Sequence, residues 1–205
     1  MKLQLPILAL GLAASTSAQY LNQSKPFHLV LVSKNKTIDG DTLSACHTGA
    51  AIESLCLSNS NSTSKPNPIA PAVFTFNTSD SVVVPNVTLG VPGIVTYKLL
   101  ATPPIPEALG LSFDPTTNIA LPLLWPGDTL ATTMAFDSKN LLNIQGYVDD
   151  TVSPIAAGNY TAYYNWYSCN TYYAGYQYVT LAWAVGKTKP QNPSCVKVDV
   201  KRKFI

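Results

Sequence analysis

Prolines divide this chain into short segments, and no other feature restricts its fold as strongly. The 205 residues include 16 prolines, most of them between runs of β-branched and aromatic residues. Proline breaks a helix interior and cannot donate a hydrogen bond in a central strand. No apolar stripe of helical period extends beyond about three turns. The sequence therefore predicts an all-β protein whose prolines lie at turns and edges.

The β-rich runs are numerous enough to suggest a fold class. About ten or eleven follow one another, and the clearest are Phe27 to Ser33 and Ala72 to Asn77. The first run has apolar side chains on both faces, which is typical of a strand packed on both sides. Gly49 to Leu57 fits a strand or a short helix, and residues 59–68 form the best candidate for a flexible loop. We expect an antiparallel β-sandwich of the immunoglobulin-like or jelly-roll-like kind.

The first 18 residues have the three parts of a secretory signal peptide. Lys2 supplies the positive charge, Leu3 to Ala14 are mainly apolar, and Ser15 to Ala18 are small. The apolar run is too short to span a bilayer of about 30 Å as a helix. We expect cleavage after Ala18, one secreted extracellular domain over residues 19–205, and no membrane segment after removal of the signal.

Charge is scarce in this sequence, which limits the classes of partner. Only 12% of residues are charged, against a typical value of about 25%, and the formal net charge is +2. The basic residues are scattered except near the C-terminus, so the chain lacks the electrostatic footprint of a nucleic-acid-binding protein. We expect no nucleic-acid partner.

Six N-x-S/T sequons reinforce the secretory interpretation. An occupied sequon must face solvent, so these positions are expected at turns or strand edges. Chance alone would give several sequons in a chain so rich in Asn, Ser and Thr. The candidate glycosylation sites are Asn22, Asn35, Asn61, Asn77, Asn86 and Asn159.

The four cysteines form an even set, as expected of a disulfide framework in an exported protein. Three pairings are possible, and we favour Cys46 with Cys56 and Cys169 with Cys195. The first pair would close a hairpin, and the second would tie an aromatic hairpin to the last strand. Zinc spacing is absent, so we expect no metal at the cysteines.

Aromatic residues concentrate in the second half of the chain. Eight of the eleven tyrosines lie between Tyr160 and Tyr178, in two predicted strands joined by a turn at Gly175. Flat rings with polar tips can stack on a sugar, but they are more typical of a protein core or a covered sheet face. In the second strand, Val179, Leu181, Trp183 and Val185 share the predicted core face. The candidate carbohydrate-binding residues are Tyr164, Trp166, Tyr172, Tyr173, Tyr176 and Tyr178.

Catalytic motifs are lacking, and we assign no catalytic residue and no cofactor. The only histidines, His28 and His47, lie outside any recognisable nucleophile motif. Glycoside hydrolysis would need two carboxylates across a cleft, and the chain offers Glu53, Glu107 and nine aspartates. The adjacent Asp149 and Asp150 are more typical of a turn, and so are Asp39 and Asp41, which lack the other ligands of a calcium loop.

Four segments resemble a family of small secreted proteins of filamentous ascomycete fungi. They are Ala45 to Leu57, Leu141 to Pro154, the aromatic hairpin containing WYSCNTYYAGY, and the ending GKTKPQNPSCVKVDV. The resemblance covers nearly the whole mature chain and all four cysteines. It implies a fungal extracellular β protein of uncharacterised function and carries over no activity, cofactor or catalytic residue.

These observations predict a non-enzymatic extracellular or cell-wall-associated protein with a structural or surface-interaction role. Its expected partner is a cell-wall polysaccharide or an extracellular protein. The alternative is a carbohydrate-binding module that uses the aromatic hairpin, which requires several rings exposed on one sheet face. A third hypothesis, a secreted hydrolase, requires His47, Glu53 or the Asp149–Asp150 pair to converge in one pocket.

Overall fold

Short antiparallel strands make up most of the computed structural model, which describes residues 20–58, 69–80, 82, 84 and 86–205. The predicted signal peptide, the loop 59–68 with Asn61, and part of the run 81–84 lie outside the described residues. A single 3-10 turn is found in the described chain, at Val87–Leu89. The strands are β1 Asn22–Gln23, β2 Phe27–Val32, β3 Leu43–Gly49, β4 Ile52–Leu57, β5 Phe74–Thr78, β6 Gly93–Leu99, β7 Ile105–Phe113, β8 Ile119–Pro126, β9 Ala135–Phe136, β10 Leu142–Asp149, β11 Ala156–Tyr163, β12 Trp166–Tyr173, β13 Tyr176–Ala184, β14 Val196–Lys197 and β15 Asp199–Phe204.

Twelve strands of the described chain form one sheet, and β9, β10 and β11 form a small second sheet. The order in the large sheet is β14-β12-β13-β4-β8-β7-β6-β5-β2-β15, with β1 added on β5 and β3 on β4. The ladders between these strands are antiparallel, and strands dominate the described chain, so the all-β prediction is confirmed. The expected two-sheet sandwich is not confirmed, because the large sheet curls into a nearly closed, barrel-like form.

The two ends of the large sheet are neighbours in the chain, and this explains the near closure. Only Val198 separates β14 from β15, and its N–H donates to the carbonyl of Trp166 at 3.1 Å. The Lys197 ammonium also crosses this seam and donates to the carbonyls of Trp166 and Val198, each at 3.2 Å, and of Tyr164. Burial lowers the pKa of Lys197. One short segment therefore joins both edges of the sheet.

The core fills the inside of this curled sheet. Alternate residues of β2, Phe27, Leu29 and Leu31, are fully buried, whereas His28 is half-buried and Val32 is exposed. The two-sided packing expected for this strand is therefore limited to one fully buried face. The buried rings of Phe27 and Phe136 meet edge to face at 5.4 Å, a geometry that aromatic pairs favour.

Both favoured disulfides are present, Cys46–Cys56 and Cys169–Cys195. Their Cα atoms lie 5.9 Å and 4.1 Å apart, respectively. The first bond joins neighbouring strands β3 and β4. The second joins β12 to the loop before β14 and so supports the seam.

Gly110 of β7 is required by a close backbone approach, and this gives a first testable prediction. A Cβ atom there would lie 2.1 Å from the carbonyl oxygen of Leu130, so the chain must shift to accommodate alanine. We expect Gly110→Ala to lower the free energy of unfolding by about 1 to 3 kcal/mol. Gly146→Ala is the matched strand control, because its Cβ would meet only the Tyr163 ring at 3.6 Å. Equal urea midpoints for the two variants would contradict the prediction.

Candidate functional site

Trp166 belongs to the core and not to a ligand surface, which corrects its place among the candidate sugar-binding residues. It is 0% exposed and lies opposite Trp183 in the β12–β13 ladder. The two indoles meet nearly edge to face at 4.7 Å, and Trp166 Nε1 donates to the carbonyl of Leu142 at 2.7 Å. No ligand can stack on this ring without opening the core.

Tyr164 is also committed to the fold. Its hydroxyl donates to Oδ2 of Asp137 at 2.9 Å. Burial and this hydrogen bond raise the pKa of Tyr164 to about 12. The same Asp137 accepts the backbone N–H groups of Lys139 and Leu141 through Oδ1, so Tyr164 fixes the turn between β9 and β10 against the hairpin.

The remaining four tyrosines lie next to the turn of the hairpin, on two different faces. Tyr173 lies opposite Tyr176, and Thr171 lies opposite Tyr178, so these side chains share one face. Tyr172 points to the other face and is 72% exposed. The predicted core face of β13 holds for Leu181 and Trp183, but Val179 and Val185 extend past the core and are exposed.

Tyr176, Tyr178 and His47 form the most organised exposed aromatic group on this face, here called the tyrosine platform. The Tyr176 and Tyr178 rings are nearly parallel, with 15° between their planes and 6.2 Å between centroids. The Tyr178 hydroxyl donates to the backbone carbonyl of His47 at 3.1 Å, and the His47 ring meets Tyr176 edge to face at 5.3 Å. The platform thus joins β13 to β3 and holds two phenol rings in fixed orientations.

The proposed hydrolase residues do not form one cluster. His47 and Glu53 lie opposite each other in the β3–β4 ladder, whereas Asp149 ends β10 in the small sheet. Asp149 Oδ1 accepts the Thr151 N–H at 3.0 Å and hydroxyl at 2.5 Å, so this carboxylate stabilises the turn as the sequence indicated. These two hydrogen bonds lower the pKa of Asp149. The structure therefore separates the Asp149–Asp150 pair from the other two groups.

Glu53 and Glu107 instead form a buried carboxyl pair that the sequence analysis did not identify. Glu53 lies opposite Leu124 of β8, which in turn lies opposite Leu109 of β7, two residues from Glu107. The two glutamates are 4% and 1% exposed. Neither oxygen of Glu107, nor Oε2 of Glu53, receives a hydrogen bond from an N–H or O–H group of the described residues.

The two carboxyls can satisfy each other only if they hold a proton between them. The pKa of Glu107 is raised to about 8. Burial is the largest cause, and the hydrogen bond to Glu53 and the repulsion from its charge add to the effect. Burial and the two carboxylates also raise the pKa of the neighbouring Tyr97. At neutral pH Glu107 is therefore mainly protonated and can donate to Glu53. Tyr97 and Glu107 border a cavity of about 800 Å³, but both oxygens of Glu107 and Oε2 of Glu53 are buried.

The other polar candidates have structural roles. His28 Nδ1 lies 2.9 Å from the carbonyl oxygen of Ala72, which agrees with a satisfied structural histidine. Asp39 accepts the Ser33 N–H and forms an ion pair with Lys36 at 3.0 Å, and both interactions lower its pKa. Among the described residues, no group of three or more His, Cys, Asp or Glu side chains could hold a metal ion.

Five of the six sequons lie in the described chain. Asn22, Asn86 and Asn159 are exposed, and Asn35 and Asn77 are half-buried. The Oδ1 atoms of Asn35 and Asn86 each accept the N–H and hydroxyl groups of the threonine two residues later. This arrangement engages the amide oxygen in both asparagines. Occupancy of the sequons stays a prediction.

Comparison with known proteins identifies a family whose function is unknown. No helix among the described residues is long and apolar enough to cross a membrane. Neither the curated proteins nor the solved structures contain a match to this chain. Residues 24–204, and thus all four cysteines, the tyrosine platform and the carboxyl pair, match a family profile described as Domain of unknown function (DUF7907). The chain therefore belongs to the DUF7907 family.

Proposed function

We propose that this chain is a secreted extracellular protein of a filamentous fungus that binds cell-wall carbohydrate through the tyrosine platform. The observation that carries the proposal is the pair of nearly parallel rings of Tyr176 and Tyr178, one of them 37% exposed. The C–H face of a pyranose is apolar and matches a phenol ring, whereas its hydroxyls need polar neighbours. Tyrosine supplies both surfaces with little loss of side-chain freedom.

The bracing by His47 supports a binding role for this face. The Tyr178 hydroxyl is anchored to a backbone carbonyl of β3, and the Tyr176 ring packs against imidazole. Because the two rings are already ordered in the folded protein, a ligand would restrict little further side-chain motion when it binds, which favours affinity. The low charge of the chain fits a neutral polysaccharide better than an ionic partner.

The proposed location has support of its own. The sequence has the features of a signal peptide, and the two disulfides are compatible with an oxidising compartment. Three sequon asparagines are exposed in the described chain. The fungal origin is proposed from the sequence resemblance alone. A hydrolase using Glu53 and Glu107 has no such support, because these two side chains are only 4% and 1% exposed.

The function is tested by replacing the platform rings. We expect Tyr176→Ala/Tyr178→Ala to weaken binding to the recognised polysaccharide at least about tenfold, which corresponds to about 1.4 kcal/mol. The deglycosylated protein is incubated with insoluble chitin, β-glucan, cellulose and mannan, and the bound fraction is measured over a range of concentrations.

Two controls separate recognition from folding. Tyr172→Ala removes a more exposed ring from the opposite face and is expected to leave binding unchanged. Tyr178→Phe keeps the ring but removes the hydrogen bond to His47, so an intermediate loss is expected. Circular dichroism checks that each variant is folded. Absence of saturable binding to all four polysaccharides, or an equal loss in Tyr172→Ala, would reject the proposed function.

A further inference from the structure

A groove of about 510 Å³ lies away from the tyrosine platform. It runs between the β10–β11 hairpin and the segment that follows β13. Its aromatic lining comes from four side chains, Tyr147, Tyr160, Tyr163 and Trp183. Its polar groups include those of Asp150, Asn165 and Lys187. Its volume falls within the roughly 300 to 1,000 Å³ of small-ligand sites.

The hairpin beside this groove has several large apolar side chains that are partly or largely exposed. Tyr147, Val148, Ile155 and Tyr160 are 49%, 63%, 70% and 39% exposed, respectively. The Tyr147 and Tyr160 rings stack with 23° between their planes and centroids 5.4 Å apart. This stacked pair of partly exposed rings is an apolar surface on which a ligand or glycan can pack.

Asn159 lies in the wall of the same groove. Gly146 pairs with Thr161 and Val148 pairs with Ala157, so residues 158–160 of β11 lie opposite Tyr147 alone, and the regular alternation of faces is interrupted at Asn159 and Tyr160. Thr161 lies opposite Gly146, so no side chain from β10 occupies the space beside the sequon. Both sequon residues, Asn159 and Thr161, line the groove together with the tyrosines.

We propose that the N-linked glycan of Asn159 occupies this groove and that its first sugars pack on Tyr147 and Tyr160. The inference rests on the proposed secretion, since glycosylation takes place in the secretory pathway. There, Nδ2 of Asn159 loses a proton and forms a bond to C1 of the first N-acetylglucosamine. The lipid-linked pyrophosphate of the oligosaccharide donor leaves. The glycan then covers this apolar surface, and Asn165, Asp150 and Lys187 lie within the groove to meet its hydroxyl and acetamido groups.

The test is a double-mutant cycle between the glycan and its ring partner, performed on protein secreted from a eukaryotic host. Mass spectrometry measures occupancy at each sequon, and calorimetry measures the melting temperature. Asn159→Gln is expected to lower the melting temperature by about 2 to 4 °C. Thr161→Ala removes the same glycan without changing Asn159 and is expected to lower the melting temperature by a similar amount. Tyr147→Ala is expected to destabilise the glycosylated protein but to have little further effect in the Asn159→Gln background.

Asn86→Gln is the matched control, because Asn86 is an exposed sequon asparagine at the N-cap of the 3-10 turn, outside this groove. In the Asn86→Gln background, Tyr147→Ala is expected to lower the melting temperature by as much as it does in the wild-type protein. An unoccupied Asn159 with other sequons occupied, or an equal Tyr147→Ala effect with and without the glycan, would overturn the inference. Saturable binding of polysaccharide that depends on Tyr147 would also overturn the inference, because a polysaccharide would then occupy the groove. Concentration-dependent dimerisation that is lost in Tyr147→Ala would overturn it because a second copy of the chain would then cover the groove. Occupancy of no sequon at all would instead reject the proposed location.

Discussion

Replacing Trp166 by alanine is expected to lower the free energy of unfolding by about 3 to 5 kcal/mol. The indole is fully buried, packs on Trp183 at 4.7 Å and donates to the Leu142 carbonyl at 2.7 Å. Alanine leaves a large cavity beside the seam and removes the donor of a buried carbonyl. Urea denaturation followed by circular dichroism measures the change.

Two further variants distinguish packing from the hydrogen bond. Trp166→Phe keeps a buried ring but loses the N–H donor, so its free energy of unfolding is expected to lie between those of the wild type and Trp166→Ala. Tyr172→Ala removes an exposed ring from the same hairpin and is expected to change stability by less than about 0.5 kcal/mol. If Trp166→Ala were as stable as Tyr172→Ala, the assignment of Trp166 to the core would be rejected.

Raising the pH from 5 to 8 is expected to destabilise the protein through the Glu53–Glu107 pair. The pKa of Glu107 is about 8 in the folded chain, against 4.5 as its ordinary value. Between these values the folded state holds a proton that the unfolded state releases, so stability falls as the pH rises. The contribution is fully present below pH 4.5 and lost above about pH 8. With 1.36 kcal/mol per pKa unit as the ceiling, we expect a loss on the order of 3 kcal/mol.

Neutral variants test the origin of this pH dependence. Glu107→Gln cannot ionise, so we expect a flatter stability profile and a gain in stability at pH 8. Glu53→Gln removes the repelling charge and is expected to flatten the profile as well. Asp114→Asn is the matched control, because Asp114 is an exposed carboxylate hydrogen-bonded to Thr116. A Glu107→Gln profile with the wild-type slope between pH 5 and 8 would show that the pair does not control stability.

Local patterns in the sequence predicted local structure well. The turn at Asp39 to Asp41, the hairpin around Gly175 and the pairing of nearby Cys46 with Cys56 all follow from residues close in the chain. Cys169 and Cys195 were also paired as favoured. These features depend on turn chemistry and on the two-residue period of strands, which short segments already contain.

The candidate site was predicted only in part. The aromatic hairpin exists, and Tyr176 and Tyr178 lie on one face of β13, as the two-residue period of a strand requires. Alternation could not show that Trp166 lies inside the sheet whereas Tyr172, on the same strand face, lies beyond its edge. The difference depends on which strands cover each end of the hairpin, and that is a property of the whole sheet.

The carboxyl pair shows the same division most clearly. Glu53 and Glu107 come together because β4 and β7 both flank β8, an order that does not follow the order of the strands in the chain. The sequence by itself determined the all-β class, the turns and the favoured cysteine pairs, since these depend on neighbouring residues. Only the tertiary structure decided the single curled sheet, the closure between β14 and β15, and the groups brought together inside it. Contacts between distant strands depend on how the entire sheet packs around its core, and no short segment encodes that arrangement.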